Sequence, residues 1–340
     1  MSESCRMPDS ERAGQPLARG CAGGGTAAGA AATNAAQLLG APALCFRRRF
    51  NMTFNTARAH SSFLITAVIF SLLLRLPRGQ PLLWVALIFD AALMIFDMAW
   101  RWRCRGAPDG GSHARHREAL LPLTAMSDII MSRCMIGRLV LDNFSVAQPG
   151  VLGTLRHIIT LVVASRILTN AIVWSQWYRV FWAFPAHIAI VANFIKTNHI
   201  TSQSTALAGG PVALQATRGV AQVLRLLRFN GLAPPPPDGL TPLQECCSVL
   251  AYLQLSVGLV LPAVVMAVHE IRLFLAHAAE RRRAGLPPER GWHPWLYRKI
   301  GDTLLGLDWL FVAVLAWVLL GVLGSLAEAL SLGTPAPVHA

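Results

Sequence analysis

Residues 246–268 read CCSVLAYLQLSVGLVLPAVVMAV, twenty-three positions without a charge, and residues 309–327 run for nineteen more. About 20 apolar residues of helix cross a bilayer core. Two such runs in 340 residues therefore imply an integral membrane protein. Inside a bilayer no water satisfies backbone N–H and C=O groups, so the chain must pair them within helices or closed barrels. Runs of this length imply helices. The expected fold is all-α, a polytopic transmembrane helix bundle.

Composition agrees. Charged residues are 14% of the chain, against roughly 25% in an ordinary soluble domain. The net charge of +13 is carried largely by clusters between the apolar runs: Arg47 to Arg49, Arg101 to Arg105 and Arg281 to Arg283. Without a soluble domain to present them, such clusters read as flanking arginines. They orient helices and touch anionic lipid head groups rather than nucleic acid.

Six spans are expected, at about 61–76, 82–100, 151–174, 179–197, 246–269 and 304–330, within a membrane domain covering 59–332. The first two form a hairpin across Pro77-Arg78-Gly79-Gln80-Pro81. Residues 1–58 are low in complexity and rich in Ala and Gly, and read as a disordered tail; 333–340 form a short second tail. Segment 119–147 carries Asp128, Arg133 and Arg138 among apolar residues. It is expected to be interfacial or re-entrant, with a seventh span as the alternative. Six spans leave the basic 271–302 loop on the side that the positive-inside rule disfavours, and seven remove that conflict. Trp174, Trp177, Tyr178 and Trp182 mark an aromatic belt, as do Trp292, Trp295 and Tyr297. Residues 211–229 place Arg218, Gln222 and Arg225 on one helical side, an amphipathic helix suited either to a head-group surface or to a protein partner. Gly321, Ser325 and Ala329 fall four apart, a small-residue face through which a homo- or hetero-oligomer would pack.

Charges inside spans are the candidate site. A central Asp or Arg costs roughly 2.5 to 3.5 kcal/mol on insertion scales, so such groups are rarely idle. Asp90 and Asp97 lie two turns apart on one face, about 10 Å along the axis. That separation is too long for a shared-proton dyad and suits two stations on a polar stripe. His157 and Arg166 occupy the third span, and Asp308 opens the sixth. An ion pair between Arg166 and Asp90 or Asp97 is expected to neutralise both charges in the bundle.

Enzymatic signatures are absent: no HExxH, GxSxG, Walker loop or GxGxxG occurs. No cofactor or metal is expected, and His113 with His116 read as residues of a solvated loop. The adjacent Cys246 and Cys247 read as small apolar filler, with palmitoylation the alternative. Two N-glycosylation sequons begin at Asn51 and Asn143.

Segment 244–270, QECCSVLAYLQLSVGLVLPAVVMAVHE, carries a cysteine pair at a helix start, a mid-helix Leu-Gln-Leu, a late Leu-Pro and a terminal Glu. In these features it resembles multi-pass membrane proteins of green algae. The resemblance implies a polytopic helical fold and brings no activity or site residues with it. The functional expectation is a transporter or channel-like protein using intramembrane charges. The alternatives are a non-catalytic membrane scaffold or sensor, then a membrane-embedded enzyme. The target membrane stays open between plasma membrane, endomembrane and organelle.

Overall fold

The computed structural model describes residues 45–75, 81–104, 107, 111–135, 141, 149–176, 178–227, 240–305 and 309–332. Among them the chain is helical throughout. In order come α1 (Phe46–Thr53), α2 (Asn55–Arg75), α3 (Pro81–Arg103) and α4 (Gly111–His116), which passes through a 3-10 turn (Arg117–Leu120) into α5 (Leu121–Met135). Then follow α6 (Val151–Ala164), α7 (Ile167–Trp174), α8 (Val180–Ser202), α9 (Thr205–Ala208) and α10 (Pro211–Leu227). A long helix comes next: α11 (Pro242–Leu253), a π-helical segment (Gln254–Val260) and α12 (Leu261–Arg283). The chain closes with α13 (Trp292–Leu305) and α14 (Trp309–Leu332).

Among the described residues three helices are long and apolar enough to cross a membrane: Val180–Ser202, Pro242–Arg283 and Ala313–Leu332. Large apolar side chains face outward along the bundle, among them Phe63, Leu64, Leu152 and Leu261. Polar groups such as Asn170, His187, Asn198 and Gln254 are buried within it. That inversion of the usual soluble pattern fits a lipid surround.

Local chemistry sets the helix ends. Thr241 caps α11 in a capping box with Gln244, and Pro242 sits at the first helical position, where its missing N–H costs nothing. The end of α12 is a Schellman closure: Gly285, at φ +69°, lets Leu286 N–H reach the Arg281 carbonyl at 2.9 Å.

Two long expectations are revised here. The expected 151–174 span is broken: α6 stops at Ala164, and Arg166 adopts φ +61°, left-handed backbone for a non-glycine residue. The disordered tail expected through residue 58 ends sooner, since α1 and the start of α2 occupy 46–58. Phe46, Phe50 and Phe54 recur every four residues, so they share one helical face. They bury it against Phe274 and Tyr297, with Phe46 edge-on to Phe274 at 5.2 Å. Residues 1–44 and 333–340 lie outside the described residues.

Cross-contacts give each helix a direction. Going along α8, Val180, Asn198 and Ser202 meet Glu270, Gln254 and Cys247 in turn, so α8 and α11–α12 are antiparallel. Leu323 and Ala327 of α14 share a core cluster with Ala251 and Leu255, and Arg225 joins Glu328 near the end of α14 to Glu245 near the start of α11, so these two are antiparallel again. Within α6–α7 and α8, Asn170 meets His187 and Arg166 meets Thr197 and Thr201, a third antiparallel pair. In α5 and α8, Glu118 just upstream meets Arg179, and Ala125 packs with Ile190 and Phe194; these two run parallel.

Candidate functional site

The buried polar residues fall into layers along the bundle axis. The first is an ion layer where α2 begins and α3 ends. Asp97 accepts from Arg101 at 2.5 Å, meets His113 Nε2 at 3.0 Å and lies 3.5 Å from Arg117 Nε. Arg117, fully buried, donates to Gln176 at 3.2 Å and stacks over the Tyr178 ring at 4.3 Å. Arg58, equally buried, donates to the backbone oxygens of Gln176 and Asn51 at 3.1 and 3.0 Å, and to Asn51 Oδ1 at 2.9 Å. Glu118 takes both Arg179 nitrogens, at 2.5 and 3.0 Å, and Arg47 at 3.0 Å. Burial pushes the Glu118 carboxyl up, but Arg179 and Arg47 outweigh it and hold the group below its ordinary value. Glu270 completes the layer, accepting from the Val180 N–H at 2.8 Å and from the Tyr297 hydroxyl.

This layer corrects the solvated-loop reading of His113. In sequence His113 reads as a loop residue because it sits in a Gly-bearing polar stretch. Helix α4 turns it inward onto Asp97, with its ring edge-on to Trp100 at 5.4 Å. Asn51 is also buried and its Nδ2 donates to the Ala114 carbonyl at 2.9 Å, so this sequon has no room for a glycan in the fold. Asn143 lies outside the described residues.

About 38 Å away, counted as helix rise from Glu270 back to Glu245, lies a second charged layer. Glu245 meets Arg218 at 3.3 Å and Arg225 at 3.9 Å, and Arg225 meets Glu328 at 3.1 Å. The basic side of α10 is therefore turned partly onto carboxylates of its own chain, while Ala213, Thr217 and Ala221 seat the helix on the bundle. His157 of α6 meets Thr217 at 2.8 Å. The buried Cys247 thiol lies 3.3 Å from Ser202 Oγ, and Cys246 is buried too, which leaves neither open to acylation.

Between the layers is the broken-helix core. Pro262 has no N–H for the carbonyl four residues back, that of Gly258. The helix widens into its π segment just before, and the freed carbonyl accepts from Asn170 Nδ2 and from Trp174 Nε1, the latter at 3.1 Å. Asn170 Oδ1 in turn holds His187 Nδ1 at 2.8 Å, and the His187 ring stacks flat on Trp174 at 3.7 Å. Among the described residues His187 Nε2 is buried without a partner. One turn toward the second charged layer, Asn198 and Gln254 exchange two amide hydrogen bonds of 2.9 Å.

Arg166 stands at the break itself. Its guanidinium donates to Thr197 at 3.0 Å and Thr201 at 3.3 Å, and lies over the Phe194 ring at 5.0 Å. It is 3% exposed, its Nε has no partner, and among the described residues no carboxylate reaches it. The expected ion pair with Asp90 or Asp97 is thus not formed. Asp97 is taken by the ion layer. Asp90, on α3, is buried beside the Ser127 hydroxyl of α5, with no cation against it among the described residues. The expected stripe divides into one saturated aspartate and one lone one. Asp308 lies outside the described residues.

Among the described residues no cluster of three or more His, Cys, Asp or Glu side chains is arranged to hold a metal ion. No family model matches the chain, and neither curated proteins nor solved structures give a match.

Proposed function

We propose that the chain is a seven-pass helical membrane protein, transporter- or channel-like, whose core takes a small anion at Arg166. The observation that carries this is the Arg166 guanidinium: buried, held among the described residues by hydroxyls and a ring and by no carboxylate, and seated on left-handed backbone at a helix break. A buried cation without a counter-charge is costly, and a strained non-glycine residue of this kind survives where it has work to do. Broken helices meeting inside a bundle are where transporters present backbone and side-chain groups to a substrate, and π segments concentrate at functional sites. An anion at Arg166 supplies the missing charge. Thr197 and Thr201 hydroxyls and the Asn198–Gln254 pair are the adjacent polar groups.

The seven passes are α2, α3, α5, α6–α7, α8, α11–α12 and α14. Their alternating directions support this count, with α5 taking the crossing that six spans leave out. The count also gathers Arg47 to Arg49, Arg101, Arg103 and Arg281 to Arg283 at one end, which the positive-inside rule makes the cytoplasmic side. Cysteine accessibility at positions 110 and 338 tests it: opposite sides support seven passes, the same side sinks them.

Proteoliposomes loaded against chloride, inorganic phosphate or acetate test the transport reading. Wild-type protein is expected to pass at least one of them faster than empty vesicles. Arg166→Gln is expected to lower that flux at least tenfold. The scaffold reading draws on the ion layer, whose Asp97 and Glu118 are already engaged by arginines of the chain. It is the better account if wild type passes none of the probes.

A further inference from the structure

The corner between α12 and α13 holds a cavity of about 320 Å³ that the anion reading does not use. Its apolar wall is Phe274, Ala278 and Leu286, and its rim carries Arg281, Arg282 and Arg298. The Schellman closure at Gly285 folds the chain back so that Leu286 and Arg281 bound the same space. Arg298 is anchored on neutral acceptors, the carbonyls of Pro294 and Glu289, both at 3.1 Å. Arg282 and Arg298 are exposed, and among the described residues neither faces a carboxylate in an ion pair. The acidic group in the lining, Glu289, is already committed: its carboxylate accepts from the Phe46 N–H at 2.7 Å and meets His277 at 3.2 Å.

Beside the corner is a cluster of exposed aromatics. Trp292 and Trp295 lie on α13, and Phe181 of α8 meets Trp292 edge-on at 4.4 Å. Exposed Trp residues of this kind sit at head-group depth. A basic rim over an apolar recess at that depth has the chemistry of a phosphate ester carrying hydrocarbon: the anion meets the guanidinia while the glycerol end of the chains covers the wall. Free phosphate has no use for the recess, and a zwitterionic lipid has less use for the rim.

We propose that this corner is a binding site for one anionic glycerophospholipid, its phosphate on Arg282 and Arg298 and the head of its acyl chains against Phe274 and Leu286. The site is independent of transport at Arg166 and stands or falls without it.

Native mass spectrometry of the detergent-purified full chain, with phosphatidic acid or phosphatidylcholine added at equal concentration, tests it. Wild type is expected to retain phosphatidic acid at least fivefold more than phosphatidylcholine. The double variant Arg282→Gln/Arg298→Gln is expected to lose that preference, at an unchanged melting temperature because both side chains are exposed. Arg156→Gln, an exposed arginine on α6, is expected to keep it. Millimolar inorganic phosphate is expected to leave the retention unchanged. Equal retention of the two lipids, a preference that survives the double variant, one that Arg156→Gln also abolishes, or full displacement by inorganic phosphate would each overturn the site.

Discussion

The ion layer and the broken-helix core bury arginines to the same depth and treat them in opposite ways. In the ion layer Asp97 faces Arg101, Arg117 and His113, and Glu118 faces Arg179 and Arg47. Fully buried Arg58 there donates from three nitrogens to carbonyl and amide oxygens. In the core, Arg166 meets two threonine hydroxyls and a phenyl face and, among the described residues, no carboxylate. Burial alone therefore does not identify a working charge. What differs is counter-charge: the first layer sets Asp97 and Glu118 against its arginines and locks α2, α3, α4 and α8 together, and among the described residues the second gives Arg166 no carboxylate.

The largest effect that tests this contrast belongs to the ion layer. Asp97→Ala removes the carboxylate shared by Arg101, Arg117 and His113. Breaking one side of a buried pair costs about 3 to 5 kcal/mol, so the variant is expected to aggregate or melt far below wild type in detergent. A melting temperature within a few degrees of wild type would mean the layer is not structural. Next is Trp174→Phe, which removes the indole N–H and leaves the Gly258 carbonyl to Asn170. A loss of about 1 to 3 kcal/mol is expected, read as a lower unfolding midpoint, and no loss would break the link between the π segment and α7.

The ion layer also gives a pH dependence. Glu118 is held below its ordinary value of 4.5 by its arginines despite burial. A depressed carboxylate contributes stability above its unfolded value and loses it as pH falls through the folded one. Melting temperature is therefore expected to hold from pH 7 to about 5 on this account and to fall below about 4.5, with the fall shallower in Glu118→Gln. Identical acid limbs in the two proteins would take Glu118 out of the explanation. The smallest effect is expected at Arg166. Replacing an uncompensated buried cation by Gln removes a cost rather than a partner, so stability is expected to stay level or rise, as at other sites that trade stability for activity. A loss as large as that of Asp97→Ala would mean that Arg166 is paired after all.

Much of the fold was legible in the chain. The charge-free runs mark α11–α12 and α14 because lipid permits no other backbone solution, and Asp90, Asp97, His157 and Arg166 are all buried where their apolar surroundings implied. The pairing was not legible. Seven-residue spacing puts Asp90 and Asp97 on one face of α3, but only the neighbours decide their fate. One meets the incoming α4 and its His113, and the other meets a serine of α5. The break at Arg166 was hidden as well, since VVASRILTN holds neither Gly nor Pro and reads as continuous helix. The π segment had a readable cause in Pro262, though the acceptor it frees is completed by residues more than 80 positions away.

Access to Arg166 is the most direct measure of the difference between the two layers. Thr197→Cys and, as the ion-layer control, Gln176→Cys would be placed in a background lacking reactive native cysteines. Each would then be treated in membranes with anionic and cationic thiosulfonates. Position 197 is expected to react, faster with the anionic reagent, and to lose that preference in Arg166→Gln, while position 176 stays inert. Inertness of position 197 to both reagents, or the same rates with and without Arg166, would contradict it.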